Sequence, residues 1–425
     1  MNYKKMALLN TAGNIVYLFS LWILTVIVTR AIGFTAAGIF SLAMSIGNVF
    51  FMIQMYGVRS FQVSDVTGEY TPSQYFLSRY ITAAAGVIFC IVYCLVCGYS
   101  MEKVAAILFY TLFRTGEAVS DAYFGELQKI GRLDVLAKSM LTKSLLMIAV
   151  FSGLLLTVRD LTVALLGIAV VAALVTVCYD RPRCRSLLSA SGTPDRSPSL
   201  QATRGLLRKC FPLMLTTLMP IVVTSLPRIL LDRYSGAELL GYYSNISTPT
   251  VLITAIVPNV LYPAMTWYGK LIQQKEWRKL GRGFTISLLA CWGLGILAFV
   301  AIWLLGDFVM ALVFTDAIVP YVHYMYPLVV ATVIYACTMC GNSVLIALRK
   351  NMLVTVFSAL SLLTAVLCCA PLVKYYSITG AIAVLGAAYT VQLLLLLIAV
   401  IVELRKNIQE SSPHISDTET HEEHL

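Results

Sequence analysis

The chain of 425 residues is 59% hydrophobic and only 12% charged, against roughly 25% charged residues in soluble proteins. A water-soluble fold of this size is excluded, because it would lack polar cover, whereas lipid-facing side chains need none. The net charge of +10 does not point to nucleic acid, because the basic residues lie in loops between apolar runs, where they suit anionic lipid head groups and the cytoplasmic face.

Lys4 and Lys5 precede an apolar stretch longer than a signal-peptide core, with no small-residue cleavage site, so the first span is expected to be retained. Runs able to cross ~30 Å of hydrocarbon are predicted at 6–28, 37–57, 79–98, 104–126, 137–158, 160–179, 210–231, 240–267, 282–304, 321–347, 351–373 and 379–403. The expected fold class is therefore all-α, a polytopic membrane protein with about twelve transmembrane helices. The segment 305–320 is read as holding a short interfacial helix.

Span one carries Asn10, Asn14 and Tyr17 at helical spacing, and span two carries Ser41, Ser45 and Asn48 likewise. Such stripes either join helices by hydrogen bonds or line a polar path. Span two ends in GVRSFQVSD (57–65), where Arg59 and Asp65 flank a short polar run. Span four holds Tyr110, Arg114, Glu117, Asp121 and Gln128 on one stripe. At helical pitch the three charges fall within about 60° of one another, so they are expected to face a bundle or a wet cavity rather than lipid. Arg114 and Glu117 are spaced to pair directly. Asp121 is expected to need water.

The stretch 180–209 is rich in Ser, Pro, Gly and Arg and reads as a flexible cytoplasmic linker. It separates an N-terminal six-helix lobe (1–179) from a C-terminal six-helix lobe (210–403). Span seven carries Arg228 with Thr224 and Thr217 on its face, and Pro220 is expected to kink it. Arg228 stands near the outer end, where it either snorkels or meets substrate. Residues 404–425 form a polar tail in which His421 and His424 lack the partners a metal site needs.

With the N-terminus placed in the cytoplasm, the predicted outside loops carry only Arg30, Lys103, Arg159, Arg233 and Lys374 of the 31 basic residues. Three more, Arg114, Lys143 and Arg228, fall within spans, and the rest lie inside. This bias predicts that both termini and the 180–209 loop are cytoplasmic. A shift that carries Arg30 onto Arg233 also carries Gly33 onto Gly236, Gly38 onto Gly241, Ser41 onto Ser244 and Ser45 onto Thr248. Both copies start outside, so the halves are expected to be parallel repeats about an axis along the membrane normal, a known transporter plan.

No GxSxG, HExxH or P-loop motif is present, and the chain holds four His residues, too few to argue general-base chemistry. The eleven scattered cysteines form no metal array and read as small apolar fillers. No cofactor is expected.

The segments GVRSFQVSDVTGEY (57–70), YFLSRY (75–80) and RTGEAVSDAYFGELQKIGRLD (114–134) resemble the bacterial polysaccharide-export flippases of the O-antigen type. These belong to the multidrug/oligosaccharidyl-lipid/polysaccharide transporter superfamily, with the MATE exporters and the lipid II flippases. The resemblance runs across residues 1–404. It implies two six-helix lobes around a cavity, in a bacterial cytoplasmic membrane, and no enzymatic activity. It implies a substrate of a few sugars on a polyprenyl diphosphate, with other polysaccharide-assembly proteins as possible partners. Carried to this chain, it marks Arg59 and Arg114 as substrate-binding, with Glu117 and Asp121 in the same motif as candidates for ion coupling. Arg228 joins the substrate set by position alone. Asn10, Asn14, Ser45, Asn48, Thr217 and Thr224 are the expected polar lining. A MATE-type cation or drug antiporter, a polytopic polysaccharide-assembly enzyme and a non-transporting scaffold are the competing readings. The first would favour acidic cavity residues over Arg114. The second would show a long outside loop. The third leaves buried charge without a use.

Overall fold

The computed structural model describes the backbone of residues 3–65, 67–192 and 197–411. Side chains are described for these residues except 3–10, 12, 14, 15, 18, 251–256, 258–263 and 411. The helices are α1 (Tyr3–Ile32), α2 (Phe34–Met55), α3 (Val58–Ser64), α4 (Pro72–Cys97), α5 (Met101–Lys129), α6 (Leu133–Val158), α7 (Leu161–Val175), α8 (Arg181–Ala190), α9 (Leu200–Gln273), α10 (Trp277–Val313), α11 (Met325–Ala347) and α12 (Asn351–Ser411). A π-turn at Thr176–Asp180 joins α7 to α8, and a 3-10 run, Asp316–Tyr324, precedes α11. Among the described residues there is no strand. Eight described helical segments are long and apolar enough to cross a membrane, which makes this a multi-pass membrane protein. On α10 the side chains of Leu289, Ile296, Leu297, Trp303 and Leu304 stand exposed, a face that only hydrocarbon would cover without penalty.

Local signals account for the breaks. Arg159 closes α6 in the left-handed region (φ 56). The Asp160 carboxylate then accepts from the N–H groups of Thr162 (2.7 Å) and Val163 (3.2 Å), capping α7. Pro72 opens α4, where the Gln74 side chain accepts from the Thr71 N–H at 2.9 Å. Two positions expected to be irregular are helical. Residues 181–190 and 200–209 of the presumed linker belong to α8 and α9, the former because the helix of α7 continues through the π-turn. The backbone of α9 stays helical through Pro220, and its one non-helical residue is Gly236 (φ 87). The interfacial helix expected at 305–320 is instead the last turns of α10 followed by the 3-10 run.

The chain packs as two units. The first comprises Met1–Thr248 with Asp307–His323 and Val366–Ala381. Within it α5 is central, packing against α2, α3, α4, α6, α7 and α8. The most charged span is thus surrounded by protein. The second unit comprises Pro249–Gly306, Tyr324–Ala365 and Ile382–Leu425. Its helices meet through small residues, with Gly295 against Val333 and Gly341 against Leu396, and through hydrogen bonds such as Ser361 Oγ to the Ala388 carbonyl (2.9 Å).

The repeat seen in the sequence has a counterpart inside the first unit. Gly33 and Gly236 both take positive φ (91 and 87) and both turn one helix into the next. The hairpins they start lie against each other reciprocally. The Cα of Gly38 abuts the Ala237 carbonyl, and that of Gly241 abuts the Phe34 carbonyl. Phe34 corresponds to Ala237 and Gly38 to Gly241 under the shift of the sequence repeat, so the two contacts pair equivalent positions. No side chain fits at either glycine. Gly38→Val or Gly241→Val should lower the melting temperature of the purified protein sharply, since overpacking costs about 1–3 kcal/mol or more. Gly153→Ala, in open space on α6, should leave it unchanged. Scanning fluorimetry of the three variants in detergent checks this.

Candidate functional site

The left-handed pair Tyr56 (φ 50) and Gly57 (φ 66) ends α2 and turns the chain into α3. Gly57 lies against the Leu213 backbone, so its missing Cβ is needed for both conformation and space. The short α3 lies on α5. Gln62, fully buried, donates to the Ala122 carbonyl (3.0 Å) and to Glu126 Oε1 (2.8 Å). One turn earlier, Arg59 Nη1 donates to Asp121 Oδ1 (2.5 Å) and to the Asp121 carbonyl (3.0 Å), and Nη2 to Gln128 Oε1 (2.7 Å). Asp121 and Gln128 are two turns apart on α5, so a single guanidinium reaches both.

Asp121 has a second cation. Arg79 of α4, 0% exposed, donates from Nη2 to Asp121 Oδ2 at 3.0 Å and from Nη1 to the Gln54 carbonyl at 2.7 Å. That carbonyl lies in the last turn of α2, where helix carbonyls lack intrahelical partners and favour cations. The expectation that Asp121 is solvated by water is therefore corrected, because two guanidinium groups take its two oxygens. Below this cluster, Asp65 fastens the loop before α4. It accepts from the N–H of Glu69 (2.9 Å), the N–H of Tyr70 (3.1 Å) and the Tyr75 hydroxyl (2.8 Å). Burial opposes its charge, but the Glu69 N–H, the Tyr75 hydroxyl, the Tyr70 N–H and Lys129 hold its carboxyl below the usual range.

Arg114 forms a separate cluster further along α5. It pairs with Glu117 Oε2 at 3.1 Å, as the spacing predicted, and donates to the Tyr17 hydroxyl at 3.3 Å. The Tyr17 hydroxyl in turn donates to Glu117. The guanidinium stacks over the Phe51 ring, 3.7 Å from its centroid. Asn48 Oδ1 accepts from Tyr110 at 3.5 Å, beside the same cluster.

The other candidates are dispersed. Arg228 donates to Ser247 Oγ (3.3 Å) and lies 5.9 Å from the Tyr243 ring centroid, away from the side chains that make up the Arg59 and Arg114 clusters. The hydroxyls of Ser45, Thr217 and Thr224 donate to carbonyls of their own helices. The side chains of Asn10 and Asn14 lie outside the described residues. Among the described residues no three His, Cys, Asp or Glu side chains converge to hold a metal ion.

Two participants are not legible in the sequence. Arg79 was assigned to a loop and is wholly buried. Asp180 was assigned to the linker, leaving Glu117 and Asp121 as the only acids in the spans. It is instead 0% exposed at the end of the π-turn, paired with Lys143 Nζ at 2.9 Å. Its oxygens also accept from Ser139 Oγ (2.6 Å) and Ser120 Oγ (2.7 Å), and Lys143 donates to Ser120. Lys143 standing alone in an apolar span was the available signal, since a buried ammonium requires an acid partner.

The fold is that of the MOP-superfamily transporters. The chain superposes on an inward-facing multidrug resistance transporter of the MATE family with a TM-score of 0.73 at 14% identity, covering 94% of this chain and 99% of that one. Against the lipid II flippase MurJ in an inward closed conformation the TM-score is 0.71 at 12% identity, over 95% of this chain and 89% of MurJ. Against a MOP-superfamily transporter from Pyrococcus furiosus, described as having a binding pocket of reverse polarity, it is 0.61 at 14% identity, over 96% of each chain. No curated protein matches by sequence. The profile of the polysaccharide biosynthesis protein family matches residues 3–268, more than half of the chain, and the protein belongs to that family.

The Lys143–Asp180 pair gives a stability prediction. Asp180→Asn strands a buried ammonium and should destabilise the protein by about 3–5 kcal/mol. The double variant Lys143→Met/Asp180→Leu should recover most of that loss, because neither charge remains buried. Thermal unfolding of the purified variants reads the difference.

Proposed function

We propose that the protein is a flippase that moves polyprenyl-diphosphate-linked oligosaccharides across the bacterial cytoplasmic membrane. The observation that carries this reading is the Arg59 guanidinium, 23% exposed and braced by Asp121. Polysaccharide biosynthesis family membership and the flippase fold support it. A diphosphate cannot cross hydrocarbon unaided, and a planar guanidinium grips phosphate oxygens in pairs. The charge bias of the loops puts Arg59 at the cytoplasmic end, where a lipid-linked precursor would be taken up. The twelve apolar runs read from the sequence would bring both termini to that face.

In this reading Arg59 receives the diphosphate and Arg114, held by Glu117 and Tyr17, meets it further in. Arg228 would contact it toward the outer end. Glu117 can exchange Arg114 for another cation, which makes it the better candidate for ion coupling. Asp121 is already engaged by two arginines and serves Arg59. The sugar head would pass along the polar stripes while the prenyl tail stays in lipid, with the two halves alternating access. The protein acts as a transporter rather than an enzyme. A cation antiporter is the second reading, favoured by the MATE-type neighbours.

Reconstitution in liposomes with lipid-linked oligosaccharide, followed by head-group accessibility on each face, tests the proposal. Arg59→Ala and Arg114→Ala should each slow flipping by about tenfold or more at matched abundance, the equivalent of one lost charge-assisted contact. Arg114→Lys should restore only part of the rate, since a point charge lacks the bidentate grip. Full rates in both alanine variants would contradict the reading, as would gradient-driven efflux of organic cations with no flipping.

A further inference from the structure

The two arginine clusters on α5 differ in net charge. Arg114 and Glu117 cancel. Arg59 and Asp121 would also cancel if they stood alone, and a neutral pair attracts a phosphate weakly. They do not stand alone, because Arg79 engages the other carboxylate oxygen. Two guanidinium groups on one carboxylate leave a single positive charge on the cluster.

Position decides where that charge is felt. Arg79 is 0% exposed. It is held from three sides: Asp121 Oδ2 at 3.0 Å, the Gln54 carbonyl at 2.7 Å and Met55 Sδ at 3.6 Å. Thr82 Oγ1 donates to the same Gln54 carbonyl at 2.8 Å and closes the pocket. Arg79 therefore cannot swing out to a ligand. Arg59, 23% exposed, is the only member of the pair of cations that can. Its contacts occupy Nη1 twice and Nη2 once. The N–H of Nε and the second N–H of Nη2 have no partner among the described contacts, which leaves donors free for an anion.

We infer that Arg79 is a positioning residue for anion uptake: by neutralising Asp121 from behind, it lets Asp121 orient Arg59 while Arg59 keeps its positive charge for a diphosphate. This rests on the functional reading above and deepens it. It makes the entry site selective for an anionic linkage over a zwitterionic or neutral lipid head. It also separates orientation from attraction, two jobs that an arginine does together only once its acid partner is neutralised or exchanged.

The test is the affinity of purified protein for farnesyl diphosphate, with farnesol and inorganic diphosphate as the tail-only and anion-only probes. Arg79→Gln leaves Asp121 to cancel Arg59 and should weaken farnesyl diphosphate binding by about tenfold, with farnesol binding unchanged and inorganic diphosphate weakened in parallel. Arg79→Gln/Asp121→Asn removes one charge of each sign and restores the net charge of the cluster. Because the amide oxygen at that position still accepts from Arg59 while the net charge returns, it should regain most of the tenfold loss in farnesyl diphosphate binding. A purely structural role for Arg79 predicts the reverse, with the double variant as weak as the single or weaker. That result overturns the inference, and the double variant decides it alone if Arg79→Gln does not fold, because the carboxylate that lost one of its two cations is then gone. Failure of the parent protein to bind farnesyl diphosphate would overturn the functional reading itself and this inference with it.

Discussion

A charge placed among membrane helices has to be paired or it will not stay there. An isolated Arg, Lys or Asp at the centre of a span costs at least ~2.5–3.5 kcal/mol on insertion scales. In this protein α5 holds Arg114, Glu117, Asp121 and Glu126, and the surrounding architecture supplies their partners. The neighbours of α5 bring Tyr17 from α1, Arg59 and Gln62 from α3 and Arg79 from α4. The π-turn after α7 and the buried Lys143 of α6 solve the same problem for Asp180. The first unit is in this sense built around the electrostatics of one helix.

Pairing alone would make a stable but inert bundle. What separates the Arg59 cluster from the others is its surplus cation and its partial exposure. The Lys143–Asp180 group is satisfied on every side and sealed, so it has the character of a clamp between helices. The Arg114–Glu117 pair is neutral but only two residues strong, with Tyr17 as its third member, and can rearrange. The reciprocal contact of the Gly33 and Gly236 hairpins adds a mechanical feature. Small residues at the start of both hairpins let the two backbones approach where a side chain would hold them apart.

Much of this is legible in the sequence alone. Apolar run length and basic-residue bias marked a multi-pass helical membrane protein, and the single-face spacing of Arg114, Glu117 and Asp121 marked the helix that matters. The glycine offsets marked the hairpins, whose positive φ only a residue without a Cβ adopts at no cost. What stayed hidden was partnership across elements. Arg79 reads as a loop residue because the apolar run of the next span starts only at it, yet α4 begins at Pro72 and carries it a full two turns into the helix. Asp180 reads as the first residue of a polar linker, because nothing in a sequence window announces a π-turn that continues a helix. Pro220 reads as a kink, but α9 keeps its helical path there. For Arg79 and Asp180 an ion pair with another helix accompanies the departure from the local signal.

The central claim is that a diphosphate, and not the lipid tail or the sugars, is the handle by which the arginines of α3 and α5 take hold of the substrate. The most direct measurement compares, in liposomes containing the purified protein, the initial flipping rates of two lipids with the same oligosaccharide and the same prenyl tail, one joined by a diphosphate and the other by an uncharged ether. The account predicts flipping of the diphosphate lipid and none of the ether lipid above protein-free liposomes. Equal rates for the two would contradict it.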